Sequence, residues 1–130
     1  MIRTKSVHSP VEPQTDGLRI LAARLRGRGL PADRYDVWMA NLGPSEKLLR
    51  EMQAGKISWA HFRRSYRDEL FEDGSVDDRN RTIKNHGQKF TLRLLQHLAR
   101  SQTITLLCHC AEDQRHCHRD VLKEILRGKI

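Results

Sequence analysis

Cys108, His109, Cys110, His116, Cys117 and His118 fall within the stretch 103–119, which reads TITLLCHCAEDQRHCHR and holds every thiol of the chain. Thiols and imidazoles at this density serve metal ligation, or nucleophilic and redox chemistry. Packing accounts for Cys108 taken singly, as the end of an apolar run, but not for the cluster. Cys108, Cys110, Cys117 and His118 form a Cys3His set for zinc, spaced Cys-x-Cys-x6-Cys-His. Two features of the spacing count against it. There is no Cys-x2-Cys knuckle, and side chains at adjacent helical positions such as Cys117 and His118 diverge by about 100°. A zinc-binding or metal-sensing module is therefore the alternative reading.

Thiol chemistry centres on Cys117. The segment 115–127 predicts a helix, with Asp113 as its cap, because Val121, Leu122, Ile125 and Leu126 share one face. That puts Cys117 in the first turn beside Arg115, His116, His118 and Arg119, where a helix N-terminus and neighbouring cations favour thiolate. Cys117 and His118 are the candidate catalytic residues. Cys110-x4-Arg115 also resembles, in spacing, the persulfide-carrying loop of rhodanese-like enzymes. The same helix start offers unpaired backbone N–H groups to an anion. Arg115, Arg119 and Cys110 are the candidate ligand contacts there, with Arg24 and Ser45 added from the N-terminal half. The favoured ligand is a phosphorylated or nucleotide-like anionic small molecule.

These residues need a strand, a loop and a helix to position them. Thr103–Cys108 is β-branched and apolar and predicts a buried strand. Ile2–Val7 predicts a first strand. The segment 18–25 reads either as a helix capped by Asp16 and stopped at Gly27, or as a buried strand. Residues 36–40, around Trp38, predict a further strand. Ser45 and Ser58 are N-caps for helices over 46–53 and 58–71, the second with Trp59, Phe62, Tyr66 and Leu70 on its core stripe. Ser75 with Asp78 resembles a capping box for a helix 77–100 broken at Gly87, with Phe90, Leu94 and Leu98 on one face. Strand, helix and strand in this order predict a single α/β domain over residues 1–130. Its small sheet is mostly parallel and covered by helices on both faces. Ligands in such sheets bind off the carboxyl ends of the strands.

The composition narrows the partners. With 24 Lys plus Arg against 16 Asp plus Glu, the formal charge of +8 favours nucleotides, phosphorylated metabolites or nucleic acid. A nucleic-acid-binding domain is thus a third reading. Aromatic residues make up only 5%, so the core rests on Leu and Ile. Three cysteines crowded into ten residues do not make a disulfide framework. No signal peptide, membrane span or lipidation signal is legible, which predicts a cytoplasmic protein with no membrane partner.

The pattern LLCHCAEDQRHCHRDVLKEIL resembles the C-terminal signature of the domain-of-unknown-function 488 family, in which a strand ends in Cys, an acidic loop follows, and Cys-His-Arg opens the last helix. The N-terminal half is similar to the shorter, single-domain subgroup of that family. The matching residues are Ile2-Arg3, Asp16 to Leu21, Arg28-Gly29-Leu30, Asp36 with Trp38, Gly43-Pro44-Ser45, Phe62 with Tyr66, and Glu69-Leu70. The subgroup usually has Val-Asp-Arg-Leu-Trp-Pro-Arg-Gly where this chain has Ala22 to Gly29, so no carboxylate role carries over to Ala23. The resemblance implies a compact α/β domain and a strand at 19–25, and no particular activity.

Overall fold

The computed structural model describes residues 1–72, 74–75, 84–85 and 87–130. Four parallel strands lie in the order β1-β6-β2-β3, where β1 is Ile2–Ser6, β2 Leu18–Leu21, β3 Val37–Trp38 and β6 Ile104–Cys108. The sheet is thus wholly parallel, with β6 at its centre, pairing Ser6 with Cys108 on one side and Leu21 with Leu107 on the other. Every residue of β6 is buried, as its unbroken apolar text requires of a strand covered on both faces. The ladder runs one bond beyond β1, where Val7 N–H donates to the Cys108 carbonyl at 2.8 Å.

Strand alternation sorts the core into two layers. On one face Ile20, Ile104 and Leu106 pack with four helices: α2 (Glu46–Gln53), α3 (Trp59–Phe71), α4 (Lys89–Leu98) and α5 (His118–Arg127). On the other, Val7, Leu21, Ala23 and Leu107 pack with Leu30 and Tyr35 from the loop after β2. The short helix α1 (Pro13–Asp16) closes that second face, with Thr105 Oγ1 donating to the Asp16 carbonyl at 2.6 Å. Helices do lie on both faces, but the four longer ones share one of them.

Several boundaries differ from the expected ones. β2 stops at Leu21 rather than Leu25, whose side chain is exposed; the ladder goes on only through Ala22 N–H to the Leu107 carbonyl. The last helix begins at His118, not at residue 115, because Cys117 is extended at φ −120°, ψ 141°. Lys84–Asn85 (β5) pairs antiparallel with Gly74–Ser75 (β4), so those residues do not belong to a helix 77–100. The remaining part of that expectation, including the Asp78 half of the capping box, lies outside the described residues. In α4 the buried face is Leu92 and Leu95, while Phe90 and Leu94 are exposed. Gly87 does separate α4 from what precedes it. Its φ is +56°, and a Cβ there would lie 2.6 Å from the Leu70 carbonyl oxygen, so only glycine fits.

The helices at 46–53 and 58–71 stand as expected. Ser45 Oγ accepts from Leu48 N–H at 3.2 Å, and Ser58 Oγ accepts from His61 N–H at 3.1 Å. Phe62, Tyr66 and Leu70 are core, and half-buried Trp59 lies at its edge. Among the described residues no helix is long and apolar enough to cross a membrane.

Candidate functional site: a three-thiol cluster

β6 ends at Cys108 with its side chain on the helix-bearing face, and Cys110, two residues on, returns to that face. α5 docks alongside, so its cap residue Cys117 meets them. The three sulfurs lie within 4.8 Å of one another, with Cys108 Sγ and Cys117 Sγ 3.1 Å apart. All three are free thiols, two buried and Cys110 partly exposed.

Arg119 organises the cluster from behind. Only 3% exposed, it sets Nη1 3.1 Å from Cys108 Sγ. The same guanidinium donates to the carbonyls of Cys110, Ala111 and Glu112 at 3.4, 2.9 and 3.0 Å. It therefore braces the 110–112 turn and places a permanent positive charge beside the sulfurs. The Glu112 carboxylate anchors the turn from the other side, accepting from Ser6 N–H at 2.6 Å and Ser9 Oγ at 2.7 Å. At the loop's far end the His116 ring lies 4.7 Å from that of Trp59.

The contacts divide the three thiols unequally. The neighbouring sulfurs of Cys108 and then Cys117 hold the Cys110 thiol far below its usual range, with the Arg119 charge assisting against partial burial. Once Cys110 carries the charge, Cys108 is pushed up to about 11, chiefly by its bond to Cys110. Cys117 is raised further still, by its sulfur neighbours and by burial. The cluster thus gives up one proton easily and the other two with difficulty. The thiol expected to be activated, Cys117, is buried and pushed up, and the partly exposed Cys110 is the one pushed down.

His118 is buried against the sheet. Its Nε2–H donates to the Ala22 carbonyl and its ring meets Tyr66 edge-on at 5.8 Å. Burial lowers its pKa below the ordinary 6.5, so the ring is neutral. It does not join the three sulfurs as a fourth ligand.

The other expected contacts are scattered. Arg24 spends its guanidinium on the carbonyls of Gly43 and Pro44, at 2.7 and 3.3 Å, and so ties the end of β2 to the start of α2. Ser45 caps α2, and its N–H donates to Glu69 Oε1 at 2.9 Å. Arg115 is exposed on the loop. Glu112 and Trp59 were not expected to hold the site. Glu112 shows in sequence only as part of an acidic loop, and the partner of Trp59 lies 57 positions away in the chain, at His116.

No curated protein and no solved structure is found to match the chain. The family model described as the active DUF488-N3 subclade matches residues 2–129, nearly the full length, and the chain belongs to that family.

Proposed function

We propose that the domain is a cysteine-dependent enzyme in which Cys110 is the nucleophile, acting on an anionic ligand such as a phosphorylated or nucleotide-like molecule. The observation that carries this reading is the geometry of the cluster: Cys110 is partly exposed and lies within 4.8 Å of two buried sulfurs, whose proximity pushes its thiol down. A thiolate is the reactive form of cysteine, and one at the carboxyl end of a central parallel strand stands where such sheets bind ligands. Arg119 acts on the sulfurs and the turn rather than on a ligand, since its donors go to Cys108 and three carbonyls. His118 serves as a neutral brace. Exposed Arg115 and the net charge of +8 supply the attraction for an anion.

Brief alkylation with iodoacetamide between pH 5 and 9, followed by peptide mapping, tests the proposal. Cys110 is expected to react first, at a rate nearly level across that range. An ordinary thiol slows about tenfold per unit below its pKa of roughly 8.5. A rate for Cys110 that falls in this way, or prior labelling of Cys117, would overturn the reading.

The mutual approach of the sulfurs favours one further reading, a zinc site on Cys108, Cys110 and Cys117. Tetrahedral ligation at about 2.3 Å sets sulfurs about 3.8 Å apart, a spacing this cluster reaches with small shifts. The ion's remaining position would fall to a ligand from solution, because no fourth Cys, His, Asp or Glu joins the group among the described residues. Stoichiometric zinc in protein purified without chelator, lost together with folding on chelation, would favour this reading over the nucleophile.

A further inference from the structure

A second concave site lies at the same end of the sheet but on its other face. His109, between Cys108 and Cys110, points away from the sulfurs and forms one wall of a cavity of about 480 Å3. His8, after β1, forms another wall, and the loop after β2 supplies Gly27, Arg28 and Arg34. The lining thus comes from the carboxyl ends of three neighbouring parallel strands, the place where ligands bind in sheets of this kind.

Its chemistry is cationic and its groups are held in place. The rings of His8 and His109 lie 5.9 Å apart, tilted by 44°. His109 Nε2–H donates to the Leu25 carbonyl at 3.0 Å, which fixes the ring; Nδ1 then donates to an oxyanion only when the ring is the doubly protonated imidazolium. Gly27, at φ +89°, makes room for that ring: a Cβ there would lie 2.8 Å from His109 Cε1. Arg34 uses one amino group to hold the His8 carbonyl at 3.0 Å, and the rest of its fork has no partner among the described residues. Arg28 has no hydrogen-bond or ion-pair partner among the described residues. Against two guanidinium groups the lining offers one acid, Asp33.

We infer that this cleft binds the phosphate group of a phosphate monoester, with Arg28 and Arg34 holding the dianion and His8 and His109 contacting its oxygens. Forked arginine donors match phosphate geometry, and a dianion balances the local charge better than a carboxylate does. The site stands apart from the sulfur cluster and does not depend on Cys110 as nucleophile.

Titration with inorganic phosphate and with phenyl phosphate, followed through the imidazole nitrogen signals of His8 and His109, tests the inference. Both ligands are expected to shift these signals saturably, with sodium chloride at matched ionic strength as the blank. Arg28→Ala, which removes no hydrogen bond or ion pair among the described residues, is expected to weaken binding at least tenfold. Arg115→Ala and Cys110→Ser are expected to leave it within twofold. Absence of a shift, a shift that chloride reproduces, or binding that survives Arg28→Ala but fails in Arg115→Ala would each overturn the assignment. Retained binding in Cys110→Ser separates this outcome from any failure of the thiolate reading.

Discussion

Arg119 Nη1 donates to Cys108 Sγ at 3.1 Å while Nη2 of the same guanidinium holds the Ala111 and Glu112 carbonyls, so one side chain sets both the charge and the shape of the thiol site. The two tasks are separable by substitution. Arg119→Lys keeps a positive charge but lacks the planar fork that reaches sulfur and turn together. The variant is expected to lose on the order of 2 kcal/mol of stability, as the part-buried carbonyls of the turn lose charge-assisted donors. Its Cys110 is expected to alkylate more slowly at acid pH than the parent's, because the turn no longer holds the sulfurs in contact. Urea denaturation and labelling at pH 5.5 measure the two effects. A variant of parental stability with an unchanged labelling rate would show that Arg119 does neither task.

Much of this site was legible in the chain, and its failures have physical causes. The spacing of Leu48, Leu49 and Met52 after Ser45 marks α2 with its observed bounds, and the apolar text of 103–108 marks β6, since burial on both faces writes itself into composition. In α4 the text KFTLRLLQHL carries apolar residues on two faces. Starting the stripe at Phe90 selects the exposed one, and only the docking against α5 and the sheet decides for Leu92 and Leu95. The start of α5 misled in another way. Gln114, Arg115 and His116 all tolerate helix, and nothing local announces that Cys117 will be extended at the cap. Cys117, four residues before Val121, faces inward with either helix start, and its sulfur meets that of Cys108, which leaves Cys110 as the accessible sulfur. The meeting of Cys110 with Cys108 and Cys117 depends on a helix docking beside a strand, which no spacing rule encodes.

His118 predicts a second, pH-dependent effect. Burial depresses its folded-state pKa below the ordinary 6.5, so the unfolded chain takes up a proton more readily than the folded one. Its contribution is therefore complete above about pH 6.5 and is lost as pH falls through the depressed folded value. His118→Gln places an amide N–H where Nε2–H reaches the Ala22 carbonyl, without a titrating group. The variant is expected to show a flatter stability profile than the parent between pH 6.5 and 5. Parallel profiles, measured by denaturant unfolding across that range, would show that His118 takes no part in the acid sensitivity.

The second face of the sheet holds a buried ion pair with its own acid limit. Lys5 is 6% exposed and Asp16 2%, and Lys5 Nζ reaches Asp16 Oδ1 at 3.1 Å and Oδ2 at 3.3 Å. Two more acceptors complete the ammonium, the Pro10 carbonyl at 2.7 Å and Glu12 Oε1 at 3.0 Å. Desolvation raises the Asp16 pKa, but the Glu12 N–H and Lys5 outweigh it and bring the carboxyl below its ordinary 3.8. The stability this supplies is present above pH 3.8 and is lost as pH falls from there through the lowered value. Removing the ammonium leaves the buried Asp16 carboxylate with only the Glu12 N–H at 2.8 Å and Arg3 at 3.9 Å, so Lys5→Met is expected to cost on the order of 3 kcal/mol near neutral pH. It should also raise the Asp16 pKa, moving that residue's part of the acid transition to higher pH. Adding Asp16→Leu to Lys5→Met is expected to restore part of the loss, because it removes the stranded carboxylate. Denaturant titrations of the parent, the two single variants and the double variant close the cycle. A Lys5→Met loss below about 1 kcal/mol, the size of an exposed pair, would mean that the ammonium and carboxylate remain hydrated in the folded protein.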